Sequence, residues 1–228
     1  MKQFKNIWSF IIIILFTNLL LAQDWANLER FNKENMELAN PKSGEQRIVF
    51  MGNSITIGWL NSRPEFFHGK PFVNRGISGQ TTPQMLIRFR QDVIDLKPVV
   101  VVILAGINDI AQNTGPITLE AIAGNIFSMA ELAKENGIKV VLCSVLPAFD
   151  FPWHPGLDPA NKVTQLNSMI ETYAKKHQLT YVDYFSSMAD KQNGLKKDLG
   201  DDGVHPNIKG YMIMEPLLEK ALFNSTIE

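Results

Sequence analysis

What is scarce in this chain narrows its chemistry before any motif is read. Its 228 residues hold one cysteine, Cys143, so no intramolecular disulfide can form. Cys143 closes the apolar run Ile138-Lys-Val-Val-Leu-Cys and reads as a small core residue, not a nucleophile. Excess charge of one sign is also missing. The formal net charge is −1, without a basic stripe or a long run of like charge, so the electrostatic footprint of a nucleic-acid binder is absent. Dense metal-ligand spacing is absent too. Asp150, His154, Asp202 and His205 could be assembled into a metal hydrolase, but that arrangement would leave Ser54 idle. No internal repeat or linker divides the chain beyond its first 22 residues, and 45% hydrophobic with 20% charged content suits a globular core.

Long hydrophobic runs occur once, at the start. Lys2 and Lys5 precede an apolar stretch from Ile7 through Leu21, interrupted by Ser9, Thr17 and Asn18 and closed by Ala22. A basic start, an apolar middle and a small exit residue are the layout of a secretory signal peptide over residues 1–22, with the mature domain at 23–228. The competing reading is a retained anchor, since about 18 apolar residues suffice to span a bilayer. No cysteine follows the stretch, so lipidation of a new amino terminus is not indicated. The expected location is outside the cytoplasm, periplasmic or secreted, with no membrane span left after cleavage near Ala22.

The mature part alternates short apolar runs with helical periodicity. Ile48–Met51 and Val99–Leu104 are continuous apolar runs, as expected of strands buried on both faces, and Pro71–Arg75, Ile138–Leu142 and Tyr181–Val182 read as further short strands. Between them lie Met85, Leu86, Phe89, Val93 and Leu96, then Leu119 through Ala133, then Val163 through Tyr173, each at helical spacing. Thr82-Pro83, Thr118 and His205-Pro206 mark helix starts, and Gly137 a stop. Trp25, Leu28 and Phe31 suggest a short helix on the domain edge. Five strands alternating with helices predict an α/β fold with one parallel sheet covered on both faces.

In such a sheet, ligands meet the carboxyl ends of the strands. Ser54 follows the first strand, Gly79 the second and Asn108 the third, while Asp202-Gly-Val-His205 precedes the last helix. Taken singly, each has a plain alternative: Asn53-Ser54 turns the chain and caps a helix, Gly79 makes a tight turn, Asn108 is a turn residue beside a structural Asp109, Asp202-Gly203 is a turn plus helix cap, and His205 is a surface histidine at a helix entrance. Together they supply what acyl transfer requires, namely a hydroxyl, an imidazole to take its proton, a carboxylate to orient that imidazole and donors for an oxyanion.

Gly52-Asn-Ser-Ile-Thr, Asn74-Arg-Gly-Ile-Ser-Gly79, Gly106-Ile-Asn-Asp and Asp202-Gly-Val-His-Pro-Asn resemble, in this order, the blocks of the SGNH hydrolases, also called GDSL esterases and lipases. The resemblance implies a flavodoxin-like three-layer α/β/α sandwich with a five-stranded parallel sheet, and a serine ester hydrolase working without cofactors. It implies Ser54, Asp202 and His205 as the triad, and Ser54, Gly79 and Asn108 as oxyanion-hole donors. One departure is Asn53, where the family usually carries Asp. The Gly-x-Ser-x-Gly elbow of α/β-hydrolases is absent, because Thr56 holds its last position.

Substrate expectations are coarser. Phe149, Phe151 and Trp153 could wall an acyl pocket, or pack their own loop; Trp59 could line the alcohol side, or anchor the helix after Ser54. Similarity to exported bacterial deacetylases implies a short acyl ester, an O-acetylated carbohydrate first. The alternatives are a lysophospholipase- or thioesterase-type acylhydrolase and a non-catalytic carbohydrate-binding module.

Overall fold

The computed structural model describes residues 24–227. The segment 1–22 read as a signal peptide, with its cleavage point, lies outside them. Five strands form one all-parallel sheet: β1 (Ile48–Gly52), β2 (Phe72–Gly76), β3 (Val100–Leu104), β4 (Lys139–Cys143) and β5 (Thr180–Val182), in the order β2-β1-β3-β4-β5. That is the flavodoxin-like order, whose direction reverses between β1 and β3. β1 and β3 are buried at every position, while the edge strands β2 and β5 are only partly covered. Continuous apolar runs at the centre of the sheet follow from helices on both faces.

The longer helices are α1 (Ser54–Ser62), α2 (Thr82–Asp92), α3 (Leu119–Glu135), α4 (Pro159–Lys176) and α5 (Ile208–Ile227), with single helical turns at Pro64–Phe67, Ile107–Ile110 and Phe185–Met188. α2 packs on α3 and α3 on α4, forming one layer; α1 and α5 meet in the other. Thr118 caps α3 by accepting from the Ala121 N–H, as its position predicts. Both ends of α2 differ from the sequence reading. The cap of α2 is Thr81, because the Thr82 hydroxyl is engaged by Asp109 at 2.6 Å. The periodic run from Met85 to Leu96 also breaks after Asp92 into a short 3-10 turn, Ile94–Leu96. Trp25 lies outside the short helical segments Leu28–Phe31 and Asn32–Glu37. Cys143 is core, and burial pushes its thiol up to about 12. Among the described residues no helix is long and apolar enough to cross a membrane.

Strand register brings the future site together. Gly52 of β1 lies abreast of Gly76 in β2 and Leu104 in β3, so three loops leave the sheet at one level. A buried arginine ties these exits. Arg88 of α2 donates to the carbonyls of Gly52 (3.1 Å) and Arg75 (2.8 Å), to the Gln80 side chain and to Asp92 (2.9 Å). Both members of the Arg88–Asp92 pair are fully buried. Burial pushes the guanidinium below its ordinary value, while the Asp92 hydrogen bond and charge work the other way. Asp92 continues to Asn35, and Asn35 to Arg75, closing a polar cluster under the sheet's end.

Arg88→Met is expected to strand a buried carboxylate and cost about 3–5 kcal/mol, read from urea unfolding. A loss below about 1 kcal/mol, the scale of a screened surface pair, would show that the cluster holds nothing together.

Candidate active site

Ser54 is the first residue of α1, immediately beyond β1. Asn53 caps the helix, its side-chain oxygen accepting the Ile55 N–H at 3.0 Å. The amide oxygen thus fills the acceptor role that a carboxylate would fill, and the Asn53 departure leaves the turn intact. At this helix start the Ser54 N–H has no partner within the helix and points from the positive end of its dipole. Gly76 lets the turn lie against β2: a Cβ there would stand 2.4 Å from the Ile57 nitrogen and 2.8 Å from the Asn53 carbonyl oxygen.

The Ser54 Oγ and His205 Nε2 are 2.9 Å apart, and His205 Nδ1 is 2.6 Å from Asp202 Oδ2. Asp202 Oδ1 also accepts the backbone N–H groups of Val204 (2.9 Å) and His205 (2.7 Å). Partial burial works against the Asp202 charge, but the His205 backbone and imidazole, with the Val204 N–H, outweigh it and hold the carboxyl below its ordinary value. A carboxylate so placed keeps the imidazole proton on Nδ1 and leaves Nε2 as an acceptor for the serine proton.

Helices α1 and α5 bring the two halves together. Trp59 of α1 stacks on Tyr211 of α5, ring centroids 5.7 Å apart, and on Phe66 at 5.0 Å. The Tyr211 hydroxyl donates to the Ile55 carbonyl (2.9 Å), and Glu215 accepts from Trp59 Nε1 (3.3 Å) and from Arg63 twice (2.9 Å each). Trp59 is therefore a clamp, 2% exposed, and not a wall of the alcohol side. α5 begins at Ile208, later than His205-Pro206, with the Asn207 side chain accepting the Gly210 N–H.

Gly79 sits on the exposed turn after β2 with φ +77°, a left-handed conformation that favours glycine. Asn108, 5% exposed in the one-turn helix Ile107–Ile110 after β3, donates through Nδ2 to the Gln80 carbonyl (2.9 Å), which leaves its second amide hydrogen for another acceptor. The neighbouring supports were not evident from sequence. Asn113 donates to the Gly79 carbonyl (3.1 Å), and the Gln80 side chain is held between Arg88 and the Ala26 carbonyl. One signal existed: Arg88 and Asp92 fall four apart on the same face as Met85 and Phe89, where opposite charges are buried as a pair. Asp109 is structural, accepting the Thr82 N–H and hydroxyl; burial raises it to about 6, against the pull of those bonds.

The 147–156 loop divides its aromatics. Phe151 is fully buried and so is core rather than pocket wall, whereas Phe149 and Trp153 are 58% and 48% exposed. Trp153 lies with its ring centroid 6.0 Å from that of His205. Asp150 accepts the Gly156 N–H and closes the loop, and His154 Nδ1 lies 3.0 Å from the Ala111 carbonyl. Both side chains of the metal-hydrolase alternative that belong to this loop are thus engaged by backbone.

The fold has both solved and curated relatives. A solved GDSL-like lipase from Bacteroides thetaiotaomicron VPI-5482 is 48% identical, with a TM-score of 0.85 over 88% of this chain and 98% of its own. An acetylxylan esterase of Xylanibacter ruminicola is 24% identical over 217 residues, 80% of this chain and 44% of that protein. An uncharacterized lipoprotein, YqeF, of Bacillus subtilis (strain 168) is 28% identical over 124 residues, 47% of this chain and 51% of that one. The chain thus spans about half the length of the curated relatives it matches. The family model for GDSL-like lipases and acylhydrolases matches residues 50–213, a span containing every block from β1 to the His205 helix, and the chain belongs to the GDSL-like Lipase/Acylhydrolase family.

Proposed function

We propose that this protein is a serine ester hydrolase that removes short acyl groups, acetyl first, from O-acylated carbohydrate. The observation that carries the reading is the continuous contact from Ser54 Oγ through His205 to Asp202. In the first step Ser54 Oγ attacks the ester carbonyl while His205 Nε2 takes its proton; the C–O π electrons move onto oxygen. That oxyanion is received by the N–H groups of Ser54 and Gly79 and the Asn108 amide. Collapse breaks the bond to the alcohol, which leaves with the proton from His205. Water then attacks the acyl carbon while giving a proton to His205, and the acid is released as the bond to Ser54 Oγ breaks and His205 returns that proton to Oγ. Nucleophile, base and donors are all groups of the chain, so the cycle calls on no cofactor or metal. Export after loss of residues 1–22 would place the enzyme where glycan esters occur, a reading supported by the composition of that segment and by the lipoprotein relative.

The acetylxylan esterase relative supports the choice of a sugar ester. The exposed rings of Phe149 and Trp153 would serve a long acyl chain as well, which is what a lysophospholipase- or thioesterase-type acylhydrolase would need.

Acetate release from acetylated glycans should occur with wild type and vanish in Ser54→Ala; equal release from both would remove Ser54 from the chemistry. Asn108→Ala should lower kcat by about a hundred- to a thousandfold with KM little changed, the cost of one oxyanion donor. Turnover near wild type would dismiss Asn108 from that role. Across nitrophenyl esters of rising acyl length, rates should peak at acetate or propionate, and a maximum at eight or more carbons would favour the long-chain alternative.

A further inference from the structure

Two clefts flank Phe149 of the 147–156 loop, and the first of them reaches the His205 turn. The first, of about 300 Å³, is walled by Phe149, Pro152 and Pro155 of the 147–156 loop, by Asp190 and Leu195, and by Gly203, the residue between Asp202 and Val204. The second, of about 430 Å³, shares Phe149 and Asp150 with the first and adds Asp158, Asn161, Gln192 and Asn193. Each lies in the range of about 300–1,000 Å³ in which proteins hold small ligands.

Their walls are stiff. Ala189 and Leu195 bridge as antiparallel neighbours, and within that turn Asp190 Oδ1 accepts the N–H groups of Gln192 (2.8 Å) and Gly194 (2.9 Å). Gly194 lets Phe149 lie close against the turn, since a Cβ there would stand 2.9 Å from the Phe149 Cβ. The facing loop carries Pro147, Pro152 and Pro155 and is fastened by Asp150 to Gly156 and by His154 to Ala111. Such fastening holds a ring more than half exposed in one position, at the cost of leaving apolar area in water. A solvent-facing aromatic in a cleft that reaches Gly203, next to Asp202, is a surface suited to a partner of matching chemistry.

We propose that the paired clefts form a subsite for the sugar rings next to the one that carries the ester, and that the occupant is a neutral oligosaccharide of at least two rings. This rests on the esterase reading above. A pyranose has an apolar C–H face, which suits Phe149, and a rim of hydroxyls, which suits the planar amides of Asn161, Gln192 and Asn193 and the carboxylates of Asp150, Asp158 and Asp190. Among the described residues the two clefts are lined by three carboxylates and by no basic side chain. Uronic or sialic acid rings would bring like charge into that space, so the subsite selects uncharged glycans.

The test compares kcat/KM of the full enzyme on 4-nitrophenyl acetate, partially O-acetylated xylose, partially O-acetylated xylotriose and an O-acetylated galacturonic acid trimer. Xylotriose should exceed xylose by about tenfold or more, the equivalent of 1.4 kcal/mol, and should exceed the anionic trimer. In Phe149→Ala and Gln192→Ala the xylotriose-to-xylose ratio should fall toward one. A purely structural effect would lower both sugars together and leave the ratio unchanged, which would overturn the proposal. A wild-type ratio of one, or a preference for the anionic trimer, would overturn it as well. A wild type that cleaves nitrophenyl acetate without any dependence on ring number ends the subsite alone; one that cleaves no ester ends the esterase reading and the subsite with it.

Discussion

The contact between Ser54 and His205 depends on the clamp between α1 and α5. Those residues are separated by 151 positions in sequence and meet at 2.9 Å. A loop-to-loop encounter could not hold that distance by itself, because Ser54 opens α1 and His205 lies in the turn leading into α5, and neither direction is fixed until the helices are packed. Trp59 between Phe66 and Tyr211, the Tyr211 hydroxyl on Ile55, and Glu215 shared by Trp59 and Arg63 supply that packing. The stack is apolar at its centre and hydrogen-bonded at its rim, so it resists both sliding and rotation of one helix on the other.

A second constraint acts from below the sheet. Arg88 engages the ends of β1 and β2 and, through Gln80, the residue whose carbonyl orients Asn108. The clamp therefore governs the serine and histidine, and the arginine cluster governs the arm carrying Gly79 and Asn108. The two act on different elements, α1 with α5 and α2 with the post-β2 turn, and they meet at the exit of β1. That exit lies where the strand order reverses, the place where an open parallel sheet leaves a crevice.

The aromatic residues show where reading by residue type stops. Trp59, Phe149, Phe151 and Trp153 are chemically similar and all near candidate turns, yet two are core and two are surface. No local pattern separates them, since burial depends on what other parts of the chain pack against each ring. Phe151 joins the main hydrophobic core. Phe149 stays 58% exposed although its Cβ lies close to Gly194 of the 190–194 turn. Gln80, Asn113 and Glu215 escaped for the same reason: as polar residues on turns or a helix they carry no special signal until their partners, distant in sequence, are in place.

What the amino-acid order determined unaided was the layout: five buried runs, the helices between them, and chemically distinctive residues following particular strands. Periodicity and turn chemistry are short-range properties, so they are written locally. Tertiary structure alone decided which of those residues touch. It placed the Ser54 hydroxyl against the His205 imidazole, turned Trp59 from a candidate pocket wall into a clamp, and left Phe149 facing water. Side-chain proximity across the sheet is set by the register and by helix packing, quantities that no single window of sequence contains.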